Sequence, residues 1–279
     1  MNFTDYELGA RNEIDDFKNP EVGLFRKAID TANKPLEKLG DYALDNEIGD
    51  AVSSAMKGIV DILNDGSSYT VRTNAICRRY ERHGYEGIDK PTDIQDLSLA
   101  DIEKVVGYLS TKYKSAAFAE GGVAGVAGAA GIAADIPSLL AISLRAVNEY
   151  ATYYGFDINV EQERAIALNV LLAASSTTQV SKQAALSELT KVSVKVAQRK
   201  TWKELEKYLS VRAIKKIAEK LGIRLTKAKL AQVVPVVGAA IGGGFNAWYV
   251  SAVTKTARMT FRERYMIRKY GPDAAIEVR

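Results

Sequence analysis

The chain of 279 residues has one cysteine, Cys77, and one histidine, His83. A single thiol excludes an intrachain disulfide framework and fits a reducing compartment. One Cys and one His, with no HExxH, leave too few ligands for a zinc site, so neither a metal nor another cofactor is expected. A Ser-His-Asp or Cys-His site would have to use His83, which sits among arginines beside a predicted surface loop. Neither Gly121-Gly122-Val123-Ala124-Gly125 nor the glycines at 242–244 carry the Lys-Ser/Thr of a phosphate-binding loop, so these read as packing glycines. Only six prolines occur and none lies in a Ser-rich linker. The N-terminus lacks the basic and apolar regions of a signal peptide, so a cytoplasmic location is expected. Alternating β-branched patterns are scarce and Ala is abundant, which favours helix over sheet.

Charge is present but unevenly placed. Residues 182–279 carry 21 Lys/Arg against 7 Asp/Glu, a net of +14. With +4 for the whole chain, residues 1–181 carry −10. The basic excess is densest over 182–229. Such a half implies an anionic partner: a lipid surface, a nucleic acid, or the protein's own acidic half.

Apolar residues recur at helical spacing from Pro20 to Leu63, and the spacing predicts an Arg-rich helix over 67–83. Gly84–Asp96 reads as a long surface loop, and Ser98 as the cap of a helix with Asp101 in its first turn. In 116–148, Gly121, Gly125, Ala129 and Ala133 lie four apart, a small-residue face that admits a second backbone. Asp135-Ile136-Pro137 predicts a turn, with Asp135 as N-cap and Pro137 in the first turn of the next helix. Amphipathic helices are expected over 159–178 and 180–221. Residues 230–254 form 25 residues without a charge. That exceeds the ~20 residues a spanning helix needs. Gln232, Pro235, Asn246 and four glycines make it a poor span, so core burial is expected ahead of reversible insertion. The fold class is all-α: a single helical domain built around two Gly/Ala-rich apolar segments, each a hairpin.

Glu120, Asp135, Arg145, Glu149, Asp157 and Asn246 stand in apolar surroundings. Arg145 and Glu149, four apart, share a helix face and can pair. One reading is a structural lock, since a buried charge must be paired. Another is a carboxylate site around Glu120, Asp135 and Glu149 that binds Mg²⁺ or Ca²⁺ or performs acid–base work. On the basic stretch, Lys191, Lys195, Arg199, Lys203 and Lys207 lie four apart along one stripe. Such a stripe suits anionic headgroups, at about 1 kcal/mol per basic residue near the surface. Only Trp202 and Tyr208 are interleaved, which disfavours nucleic acid.

The chain resembles the EcsC-like family of bacterial proteins. The resemblance rests on Ala119-Glu120-Gly121-Gly122, the glycine run to Gly131, Asp135-Ile136-Pro137, and Leu144-Arg145 with Glu149. It continues through Tyr154-Gly155-Phe156-Asp157, Glu163-Arg164, Pro235, Gly238, Gly242, Asn246 and Phe261-Arg262 with Arg264. It covers about Leu36 to Tyr265, giving an acidic helical extension over 1–35, an EcsC-like helical domain over 36–270 and a tail over 271–279. The resemblance implies a helical fold with no settled activity. The founding member is encoded beside an ABC transporter, which implies work near a membrane and admits a membrane protein as partner, in transport or secretion.

Together these observations lead to the expectation of a protein peripheral to the inner membrane, bound reversibly to anionic lipid. Lys195, Arg199, Lys203, Lys207, Arg258, Arg262 and Arg264 are its expected lipid contacts. An enzyme with a carboxylate-lined site and a regulatory interaction module are the alternatives.

Overall fold

Short polar side chains start three of the helices. Thr4, Ser98 and Thr178 each accept a hydrogen bond from the backbone N–H three residues on, satisfying an amide that the first helical turn leaves without a partner. They open α1 (Asp5–Lys18), α3 (Leu99–Val106) and α7 (Gln179–Ala197). Between them lie α2 (Thr73–Arg82), α4 (Leu109–Ala124), α5 (Gly128–Tyr153) and α6 (Glu161–Ala174), and the last helix is α8 (Gly238–Tyr270). The computed structural model describes residues 1–20, 57–58, 71–124, 128–176, 178–198, 219–221, 223, 225 and 238–279. Among these the fold is all-α, without a strand.

α8 is the axis. Its 33 residues make a rod about 50 Å long. It packs most extensively on α4, then on α5 and α6, with α1 and α7 also against it. Over Phe245–Ala257 one face is buried, through Phe245, Tyr249, Val250, Val253 and Ala257. From Thr256 to Ile267 burial extends round every side except Arg258. A helix enclosed in this way is normally apolar throughout. This one carries Arg262, Glu263 and Arg264, each at most 4% exposed.

Two expectations about local structure are corrected. Asp135-Ile136-Pro137 makes no turn: Pro137 lies inside α5, which runs unbroken from Gly128 to Tyr153. Its ring is seated against Gly58, where any Cβ would overlap it. Lys112 and Tyr113, near the start of α4, bond Glu149, near the end of α5, so these helices run antiparallel. Residues 125–127 between them lie outside the described residues, as do the side chains of 122–134 on the small-residue face. Gly244 is the second correction: it is exposed, with open space where a Cβ would stand, so it is not a packing glycine.

Residues 84–96 are more ordered than a surface loop. Pro91–Asp96 forms a 3-10 turn, and Ile88 and Ile94 are buried. Tyr80 donates from its buried hydroxyl to the Tyr153 carbonyl at 2.6 Å, fastening α2 to the end of α5. Of the helices expected over 20–63 and 180–221, residues 21–56, 59–63 and 199–218 lie outside the described residues.

Candidate functional site

The basic C-terminal segment meets the acidic N-terminal half inside the protein. Glu103 on α3 accepts from Arg262 through Nε and from Arg262 Nη2 and Arg258 Nη2 at 2.7 Å each. Tyr154 and Tyr6 add their hydroxyls at 2.8 and 2.9 Å. Burial alone would raise the Glu103 pKa, but the two guanidinium groups outweigh it and hold the carboxyl at about 2. Burial alone would lower the Arg262 pKa, but its hydrogen bonds to the Glu103 carboxylate and the charge of that group outweigh burial and raise it. Arg262 also reaches Glu13, and Arg264 makes a bidentate pair with Glu163 while stacking on Phe156 at 4.0 Å. Lys18 bonds both Glu263 oxygens, Thr190 Oγ1 and the Ile276 carbonyl, joining α1, α7, α8 and the tail. Lys269–Glu7 and Arg279–Asp15 complete the match at the surface.

The lipid-contact assignment of Arg262 and Arg264 is therefore corrected. Both are enclosed by α8's neighbours, and a guanidinium that stays charged when buried is costly unless a carboxylate pairs with it. Arg258 keeps 41% of its side chain exposed but is bonded to Glu103. Lys195 is half-buried. Arg199, Lys203 and Lys207 lie outside the described residues.

The six polar residues do not converge on one site. Asn246 Nδ2 donates to Asp135 Oδ1 at 3.0 Å between α5 and α8, both residues being buried. Glu149 takes Lys112 and the Tyr113 hydroxyl instead of Arg145, which is exposed. Glu149 points at α4, where donors stand, and Arg145 points at water. Asp157 is also exposed and accepts from the backbone and side-chain N–H groups of Asn159. Glu120 is half-buried near the end of α4. Asp135 and Glu149, fourteen residues apart on one helix, are separated by about 21 Å, too far to share an ion. Among the described residues no three His, Cys, Asp or Glu side chains are grouped to hold a metal.

What the sequence reading missed is an aromatic pair on the outer surface. Phe118 on α4 and Trp248 on α8 are each 55% exposed. α5 and α8 run the same way, since Asp135 meets Asn246 near their starts while Tyr154 and Arg258 share Glu103 further on. α4 is therefore antiparallel to α8, and Ser110 bonded to Thr254 at 2.9 Å fixes the register. Counting from that bond, Phe118 stands about 12 Å along α4 and Trp248 about 9 Å along α8, so they lie at the same level. Exposed Ala116, Ala119 and Gly244 belong to this end. Back at the level of the bond stand Lys112 and Lys255, both exposed. Trp248 rests on the Phe245 ring, which stacks on Tyr249. The only signal for this in the sequence is two large aromatics set among small residues.

The profile of the EcsC protein family matches residues 10–266, and the chain belongs to that family. Among its relatives is "Uncharacterized protein YdbA" of Bacillus subtilis (strain 168), 26% identical over 245 residues, covering 84% of this chain and 82% of that protein. "Protein EcsC" of the same organism is 27% identical over 200 residues, covering 71% and 79%. No solved structure matches the chain.

Proposed function

We propose that this protein associates reversibly with anionic membrane surfaces through the outward ends of α4 and α8, as a peripheral helical protein of the cytoplasmic face. The observation that carries the reading is the exposed pair Phe118 and Trp248, level with each other, bordered by Ala and Gly, with Lys255 two turns behind Trp248 on α8. Aromatic rings favour the interface between headgroups and acyl chains, and a lysine behind them meets the anionic surface. Among the described residues no helix is long and apolar enough to cross a membrane, so contact by a shallow tip is the geometry invoked.

Co-sedimentation with vesicles of phosphatidylglycerol and phosphatidylcholine tests this. Binding should require the anionic lipid and weaken as salt rises, because exposed charges are screened beyond about 8 Å at physiological ionic strength. In a Trp202→Phe background, Trp248 emission should shift to the blue on binding. Phe118→Ser with Trp248→Ser should remove whatever binding survives high salt. A protein that ignores every vesicle refutes the reading. Binding to duplex DNA with a steep salt slope would then assign the basic stretch to nucleic acid, and binding to neither would leave the interaction module.

A further inference from the structure

Two turns along α8 from Trp248, a cleft of about 510 Å³ opens between α1, α4, α5 and α8. Its size falls within the range of small-ligand sites, about 300–1,000 Å³. Its donors come from several elements. Lys255 is exposed and makes no ion pair among the described residues; its ammonium lies 5.6 Å from the centre of the Phe17 ring. Lys182 approaches the same ring at 4.6 Å. Lys182 does not line the cleft; burial and, after it, the Lys255 charge together lower its pKa to about 8. Arg258 uses one Nη for Glu103, leaving other guanidinium N–H groups for the cleft. The Thr254 hydroxyl donates to the Ser251 carbonyl at 3.1 Å, so Ser110 donates in the Ser110–Thr254 pair and both protons are committed.

Tyr150 is the most telling residue. It is 2% exposed and lines the cleft, yet its hydroxyl makes no hydrogen bond among the described residues and is not sealed from solvent. With no protein partner, that hydroxyl takes its hydrogen bond from whatever occupies the cleft, water or a ligand atom in its place. Two carboxylates also line the space. Glu13 is tied to Arg262 and Asp16 is exposed at the rim, so the side chains in the cleft that can donate to an anion are Lys255, Arg258 and Tyr150.

We propose that this cleft binds a phosphate group, held by Lys255 and Arg258 with the Tyr150 hydroxyl as a further donor. The proposal deepens the membrane reading and rests on it for one source of the phosphate, an anionic lipid headgroup. Lys255 is seven residues from Trp248 and on the same helix face, about 10 Å along the axis, so chains attached to a phosphate in the cleft would run toward Trp248 and Phe118. A free phosphate monoester has the same chemistry at the cleft and lacks only the chains.

Calorimetric titration separates these cases, using dihexanoyl phosphatidylglycerol below its micelle concentration, sn-glycerol 3-phosphate and inorganic phosphate. Wild type should bind with one-to-one stoichiometry. Lys255→Gln and Tyr150→Phe should each weaken binding about tenfold, the loss of one hydrogen bond to a charged group. Tyr150→Phe changes no charge, so its effect cannot be lost surface attraction, and unchanged thermal melts check the fold of both variants. Binding of the lipid alone supports the headgroup, and binding of all three probes supports a soluble phosphate ligand. No heat with any probe, or equal affinity in wild type and both variants, overturns the cleft. If both variants still bind anionic vesicles as wild type does, the cleft fails while the membrane reading stands. If the short-chain lipid binds through Tyr150 and vesicles are ignored, the membrane reading fails and the cleft stands.

Discussion

Replacing Glu103 by Gln keeps the shape of a side chain on which four elements converge and removes its charge. Two guanidinium groups and two phenols now donate to that carboxylate, and Arg262 is 3% exposed at its side chain. Removing one partner of a buried ion pair leaves an uncompensated charge, at about 3–5 kcal/mol. Glu13 still offers Arg262 one carboxylate, which sets the expected loss at the lower end, about 3 kcal/mol. Linkage gives a second route to the magnitude. The Glu103 carboxyl falls from 4.5 to about 2 on folding. That difference corresponds to about 3 kcal/mol of stability. Because the folded pKa is depressed, this stability is present in full above pH 4.5 and is lost as pH falls toward 2. For a chain of this size the melting temperature should drop by roughly 6–12 °C in the Gln variant at pH 7. The assay is thermal or urea unfolding of both proteins at pH 7, 4.5 and 3. The variant should be less stable at pH 7 and should lose less than wild type between pH 4.5 and 3. A variant melting within about 2 °C of wild type at neutral pH refutes the argument. So does an equal acid loss in the two proteins.

Other residues yield sharper local tests. Gly155 has φ +82, and a Cβ there would stand 2.6 Å from Gln95 Cγ and 3.1 Å from the Pro91 carbonyl oxygen. Gly155→Ala should therefore destabilise by about 2–4 kcal/mol in urea melts, against about 1 for Gly87→Ala, where φ is +74 with no neighbouring atom within 4 Å; equal losses would show that the contact with Gln95 is irrelevant. Arg145→Ala should move stability by less than about 0.5 kcal/mol because the side chain is exposed. Glu149→Ala should cost about 1–3 kcal/mol because it leaves the Tyr113 hydroxyl buried without an acceptor; the reverse order would restore the Arg145–Glu149 pair.

Much of the architecture is legible in the chain, and the arrangement of its charges is not. Helix periodicity and caps are local: Ser98 and Asp101 start α3 whatever packs on it, because the bond to be made is three residues away. Family membership is equally local, held in runs such as Tyr154-Gly155-Phe156-Asp157. Pro137 shows where local rules lose. Proline lacks an amide and disfavours a helix interior, yet α5 passes through it, seated on Gly58. Arg262 and Arg264 are a more consequential case. Read alone they are surface cations, since a charge prefers water, and this suited a headgroup contact. Their carboxylates, Glu103, Glu13 and Glu163, are more than ninety residues distant in the chain.

The sequence by itself determined an all-α fold and membership of the EcsC family, because local periodicity and short motifs govern both. It also determined the opposite net charges of the two halves, a matter of counting. Which charges meet only the tertiary structure decided. A +14 segment can face a membrane or neutralise its own N-terminal half, and the choice depends on what encloses α8. Packing put Arg262 and Arg264 inside with carboxylates and left Lys255, Phe118 and Trp248 exposed. Burial is a property of neighbours, so no residue's own type could announce it.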